Sequence, residues 1–289
     1  MDHYSTATTL CDFAGRSSEV LYYVEFATRL LRMNKRTFVG SFLFAFLVTS
    51  VGLAESFDKP VHKRVLDLGP SQNLMRSDNR HLTVTCWYYS HFMIKERNDP
   101  GMKGAELIAL ASVRPGRLPK CSSMLQPDEK EFKEWIPELK TFESWNGYFA
   151  GVKHNLVFLE RPDGDENSGI PFSVFESDAQ TKLFEDSVML RARGERDLNF
   201  APTSGSQVVI RYLRVANSGC SIPKSGEICW IKLQQQTGLA HSPMPKCSDY
   251  EGKDAGTAAS VIAYPVEVSL FPKPSIRPLG GPFRCYPTE

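Results

Sequence analysis

This chain lacks most of what makes a sequence easy to assign. No stretch reaches the roughly 20 predominantly apolar residues that a membrane-spanning helix needs. No CxxC or HExxH pair occurs, and His91, His154 and His241 stand alone, so a zinc centre has no ligand spacing to build on. The GxSxG elbow of a serine hydrolase is missing, and so is any phosphate-cradling glycine loop. Neither charge sign is in excess. Lys and Arg number 34 against 33 Asp and Glu, and residues 55–289 carry 29 of each. Such a balance leaves no electrostatic footprint for nucleic acid or an anionic membrane surface. No internal repeat of steady period occurs, which argues against a propeller or solenoid.

What is present begins with an address. Met33-Asn34-Lys35-Arg36 opens a basic patch, and Phe38 to Leu53 follows as sixteen residues without a charge. Gly52 and Ala54 then place small residues just before Glu55. Basic, apolar and small-x-small in that order is the pattern of a secretory signal peptide, whose apolar core runs about 7–15 residues. The expectation is an exported protein, periplasmic or secreted, cut before Glu55, with Met33 as the true start and residues 1–32 as an upstream extension. The competing reading is an uncleaved single-pass anchor, with Arg29, Arg32, Lys35 and Arg36 holding the N-terminus in the cytoplasm. Only in that second reading does the protein touch a membrane.

Cysteine usage fits export. Of seven cysteines, Cys11 lies upstream, leaving Cys86, Cys121, Cys220, Cys229, Cys247 and Cys285. An even set of six in an oxidising compartment reads as disulfides, with 15 pairings open to it. Cys220 and Cys229 flank Pro223 and the Ser225-Gly226 turn signal, so a short hairpin would join them. Cys247 with Cys285 and Cys86 with Cys121 then follow by elimination.

Beyond residue 54 the chain reads as a polar linker over 55–80 and one β-rich exported domain over 81–289. His81 to Ile94 is rich in β-branched and aromatic residues, and Ala105 to Val113 is an apolar run of strand length. Residues 127–136 predict a short helix. Pro127 suits a first helical position, and Phe132, Trp135, Ile136 and Leu139 recur at helical spacing until Pro137 interrupts them. Tyr148-Phe149, Leu156 to Leu159, Ile170 to Phe175 and Thr181 to Phe184 then read as an antiparallel meander. Val208 to Val215 is expected to pair with Ile228 to Leu233. Val261 to Leu270 is a further strand, placed at an edge by Pro265. The proline-rich tail, with Pro272, Pro274, Pro278, Pro282 and Pro287, reads as an extended strap fastened by Cys285.

Three features carry candidate chemistry. Asp163, Asp165 and Asn167 set oxygens at alternate positions, as a calcium loop does, although a polar turn uses the same residues. Calcium is the one cofactor the sequence suggests. Trp87, Tyr89, Trp145 and Tyr148 belong to aromatic clusters that would grip a protein or saccharide ligand if exposed, or fill the core if strand alternation turns them inward. Glu160, Asp163, Glu176 and Glu185 fall near one strand system, where two carboxylates would serve a glycosidase.

As a set, three further stretches resemble a family of exported bacterial proteins of uncharacterised function. They are Asn146-Gly147-Tyr148-Phe149 with Gly151-Val152-Lys153, Phe172-x-Val174-Phe175 leading to Lys182-x-Phe184-Glu185-Asp186, and Tyr264-Pro265-Val266-Glu267-Val268 before Arg277-Pro278-Leu279 and Cys285. The resemblance spans most of residues 81–289, implies export and carries over no site residue. Together these readings predict a mainly β fold, an antiparallel sandwich or irregular barrel with one short helix. They favour a non-catalytic exported binding or envelope-associated protein over an extracellular hydrolase.

Overall fold

Strand alternation is visible from the first sheet onward. The computed structural model describes residues 56–73, 79–162, 169–178, 181–189, 198–202, 207–239, 242–247 and 257–288. The segment expected to be a signal peptide or anchor, and the calcium candidates Asp163, Asp165 and Asn167, lie outside these residues. Strands β1 (His62–Pro70), β2 (His81–Tyr88), β3 (Phe92–Asn98), β4 (Leu107–Ser112) and β5 (Glu129–Glu131) form a five-stranded antiparallel sheet in sequence order. In β2 every second residue, Val84, Cys86 and Tyr88, is buried on one face.

Next come β6 (Lys133–Ile136) and β7 (Thr141–Ser144), a separate two-stranded hairpin. The second large sheet holds β8 (Tyr148–Lys153), β9 (Leu156–Glu160), β10 (Ile170–Glu176), β11 (Lys182–Val188), β12 (Asn199–Phe200), β13 (Val209–Asn217), β14 (Ser260–Ser269), β15 (Ser275–Pro278) and β16 (Arg284–Pro287). Its order is β15-β14-β13-β11-β10-β9-β8, with β12 on β13 and β16 on β14. The helix α1 (Ile222–Thr237) stands between β13 and β14 in the chain.

The layers follow from which face each residue buries. Phe92, Ile94, Ile108 and Leu110 of the first sheet share one core with Val152, Val157, Leu159 and Phe175 of the second, so the two sheets form a sandwich. The far face of the nine-stranded sheet (Phe158, Phe172, Val174, Tyr212, Tyr264) packs on Ile222, Trp230 and Leu233 of α1. The far face of the five-stranded sheet (Val84, Cys86, Met93) is covered by the segment carrying Cys121. All three cystines join the expected partners: Cys86–Cys121, Cys220–Cys229 and Cys247–Cys285.

Several expectations are corrected. Residues 62–70, read as linker, form β1, which pairs with β2 from His62 opposite Tyr88 to Pro70 opposite His81. Residues 127–136 are not a helix but β5 and β6, because Phe132 is wholly buried between the sheets while Trp135 points outward. Ile228 to Leu233 belongs to α1, not to a strand beside Val208 to Val215. That helix begins with Pro223 in its first turn and ends at Gly238, whose left-handed φ of 74° lets its N–H reach the Gln234 carbonyl at 3.0 Å. The pairing of Cys220 with Cys229 is thus made across a helix start. Strand β14 is interior despite Pro265. Its ladder to β16 covers Ser260 to Ala263 and its ladder to β15 covers Val266 to Ser269, so the proline falls where neither partner needs an amide. The tail, expected to lie over the surface, extends the sheet through those two strands.

Upstream of β1, Phe57 sets its ring 5.3 Å from Phe158 and 5.0 Å from Phe200. Asp58 continues along β8, its N–H donating to the Val152 carbonyl at 2.8 Å.

Candidate functional site

The aromatic candidates do not assemble into one exposed platform. Trp145 is buried, edge-on to Phe175 at 5.7 Å, with the Arg161 guanidinium 5.1 Å over its ring. Trp87 is half-buried against Phe149 at 4.6 Å and carries the Lys63 ammonium over its face. Tyr89 is half-buried beside Phe92, and burial together with the Asp58 charge pushes its phenol up to about 12. Tyr148 is half-buried and its hydroxyl accepts the Gly104 N–H at 3.0 Å. These four line the rim and interior of the sandwich.

The exposed rings stand elsewhere, on the β6–β7 hairpin. Trp135 and Phe142 sit directly opposite one another in its register, with ring centroids 5.0 Å apart. Trp135 is 47% exposed and Phe142 59%, and Leu139 in the connecting turn is 62% exposed. With a whole aromatic side chain worth about 150–250 Å², these residues show solvent roughly 300 Å² of apolar surface. That is the size at which the largest patch on a monomer is often functional.

The hairpin is held in place from its base. Phe132 and Trp145, the residues flanking its two strands, are buried, and the Trp145 N–H donates to the Phe132 carbonyl at 2.9 Å. Alternation turns Glu134 to the opposite face from Trp135. There it takes hydrogen bonds from Arg161, which follows β9, and from Lys182 of β11 at 3.1 Å. One face of the hairpin is therefore tied to the large sheet by charge, and the other leaves Trp135 and Phe142 open beside Lys133 and Ser144. The sequence reading places Trp135 in a helical stripe and does not single out Phe142. The signal that would have found them is Pro137-Glu138-Leu139-Lys140 read as a hairpin turn, which puts the two rings in register.

The carboxylate candidates are dispersed. Register sets Glu160 beside Phe172 and Glu185 beside Ser173, on opposite faces of the nine-stranded sheet. Glu176 shares the Glu160 face but stands four positions along, about 13 Å at roughly 3.3 Å per residue. Among the described residues these acids form no pair at glycosidase separation. No group of three His, Cys, Asp or Glu among the described residues is placed to hold a metal, and none of their helices is long and apolar enough to cross a membrane.

One polar network is buried instead. Asp186 of β11 accepts hydrogen bonds from the Tyr212 hydroxyl and, at 2.9 Å, from Arg214 Nε, while Arg214 Nη1 donates to Tyr264 Oη at 3.2 Å. Burial first, then the Asp186 charge, raises the Tyr212 phenol. Burial likewise raises Tyr264 against the opposing pull of Arg214. Both phenols move away from neutrality, the direction opposite to that of a group exchanging protons near pH 7. The network neutralises Arg214 and ties β11, β13 and β14 together.

No family model, curated protein or solved structure matches this chain.

Proposed function

We propose that residues 55–289 act outside the cytoplasm as a non-catalytic binding protein that grips a protein partner through the β6–β7 hairpin. The observation that carries this reading is the outward pair Trp135 and Phe142 on a hairpin whose base is anchored in the core. Tryptophan and other large aromatics dominate the energetics of protein interfaces, and a preordered hairpin loses little entropy on docking. A protein partner is favoured over a saccharide because the rings lie at 58° to each other. A sugar stacks on one flat face, whereas tilted rings form a wedge suited to a side-chain pocket. Export is supported by the three cystines, the basic-apolar-small order before Glu55 and the resemblance to exported proteins.

A photo-crosslinking phenylalanine analogue placed at position 142 in producing cells tests the reading, with position 224 on the outer side of α1 as control. A discrete adduct from position 142 alone, lost in Trp135→Ser, is expected. Adducts from position 142 that match the control would overturn it. Mass spectrometry of the crosslinked chain is expected to find it in the envelope or outside fraction, starting at Glu55.

A further inference from the structure

The segment that covers the far face of the five-stranded sheet also forms a groove of about 500 Å³, within the range usual for small-ligand sites. Arg114, Arg117 and Lys120 line it together with Leu118, Pro119 and Asp128. These cations carry no ion pair with any of the described residues, whereas Arg97, Arg161, Arg211, Arg214 and Arg277 each meet a carboxylate. What sets these exposed cations apart is that three of them line a single groove.

The backbone holds the trio together. Arg114-Pro115-Gly116-Arg117 is a tight turn in which the Arg117 N–H donates to the Arg114 carbonyl at 3.0 Å, and Gly116 takes the left-handed φ of 75° that the turn requires. The backbone of two arginines is thus fixed at the two ends of a single turn. Beyond it the segment is pinned repeatedly to the sheet below. The Tyr88 hydroxyl donates to the Pro119 carbonyl at 3.0 Å, Cys121 is bonded to Cys86, and Lys95 Nζ donates to the Met124 carbonyl at 2.7 Å and pairs with Glu129. A loop held at four points keeps the three cations on one groove, where an anion could meet them together. Guanidinium forks match planar oxyanions bidentately, and a fixed backbone reduces the ordering cost of binding.

We infer that this groove is a binding site for a small oxyanion carrying at least two negative charges, bridging Arg114, Arg117 and Lys120. The site is independent of the hairpin reading, since it uses none of its residues.

Titration calorimetry of the folded protein with citrate and with pyrophosphate at low salt tests the site and separates carboxylate from phosphate recognition. At least one anion is expected to bind with one-to-one stoichiometry. Its affinity should fall about tenfold or more in R114Q/R117Q, the loss expected for charge-assisted hydrogen bonds. Lys224→Gln, on the outer side of α1, should bind as the wild type does. Binding of citrate alone assigns carboxylate chemistry, and binding of pyrophosphate alone assigns phosphate. No heat with either anion up to millimolar concentration, or undiminished binding by the double variant, would overturn the inference.

Discussion

The ammonium of Lys95 and the carboxylate of Glu129 meet beneath the covering segment, with side-chain exposures of 0% and 1%. Lys95 lies on β3 opposite Cys86 of β2, so this ion pair and the Cys86–Cys121 cystine fasten the same segment to the same patch of sheet. Removing one partner leaves a buried charge alone, which typically costs about 3–5 kcal/mol. Lys95→Met is therefore expected to lower unfolding free energy by that amount in urea titration. The double change K95M/E129L should recover most of it, and strictly additive losses would show that the pair is not coupled.

Cystine removal should separate the three bridges by the chain length each closes. Cys220–Cys229 spans 9 positions, whereas Cys86–Cys121 and Cys247–Cys285 span 35 and 38. Loop-closure entropy then assigns about 2.5 kcal/mol to the first and about 4 kcal/mol to each of the others. Guanidinium unfolding of the three paired Cys→Ser variants checks the ranking. Thiol titration of the unfolded, unreduced chain starting at Glu55 should find no free thiol.

Stability should fall in alkali through Tyr89. Its phenol lies at about 12 in the fold against an ordinary 10.0, so the folded state favours the neutral form. That contribution is fully present below pH 10 and is lost as pH rises from about 10 to about 12. Unfolding measured across this window should lose free energy in the wild type and less in Tyr89→Phe. A loss of the same size in both would rule out Tyr89 as the source.

Acid should act on Glu267. Hydrogen bonds from Arg277 and then Arg211 hold its carboxyl below the ordinary 4.5. The stability it supplies is present above the unfolded value and disappears as pH falls through the lowered one. Both arginines are largely exposed, so the effect is modest and salt-sensitive. Glu267→Gln should flatten this part of the acid limb at low salt and slightly lower stability above it, where the ionised carboxylate otherwise contributes.

Gly151 and Phe57 form a close fit that double-mutant analysis can resolve. A Cβ at position 151 would lie 2.5 Å from Phe57 Cγ and under 3 Å from both Cδ atoms. Gly151→Ala should cost about 1–3 kcal/mol, as overpacking does. In the Phe57→Ala background the same change should cost far less. An unchanged cost would place its origin in the backbone instead.

Much of the architecture was legible because it is local. The meander from β8 to β11 follows from short alternating runs separated by Gly, Asp and Pro turns, and the cystine partners agree with those read from spacing and elimination. What failed was periodicity where two periods coincide. Phe132, Trp135, Ile136 and Leu139 fit a helical stripe, yet Phe132 and Trp135 also occupy opposite faces of extended chain. The inter-sheet core, not propensity, decides between them. Ile228-Cys229-Trp230-Ile231 looks like a strand, but burial of Trp230 and Leu233 against the sheet makes it helical. The candidate site shared that fate. One of its exposed rings, Trp135, lies inside the misread segment, and which aromatics face outward depends on partners far away in sequence.

The position of β16 on β14 sets a timetable. Strand β13 pairs with β14 as soon as residue 269 is available, but Ser260 to Ala263 gain their outer partner only with Arg284 to Pro287. Until then an apolar strand lies open along one side, and Cys247 has no Cys285 to join. A chain delivered vectorially across a membrane would pass through that state every time. In a chain so delivered, the half-built sheet would be the moment at which a chaperone or oxidant has its opening to act.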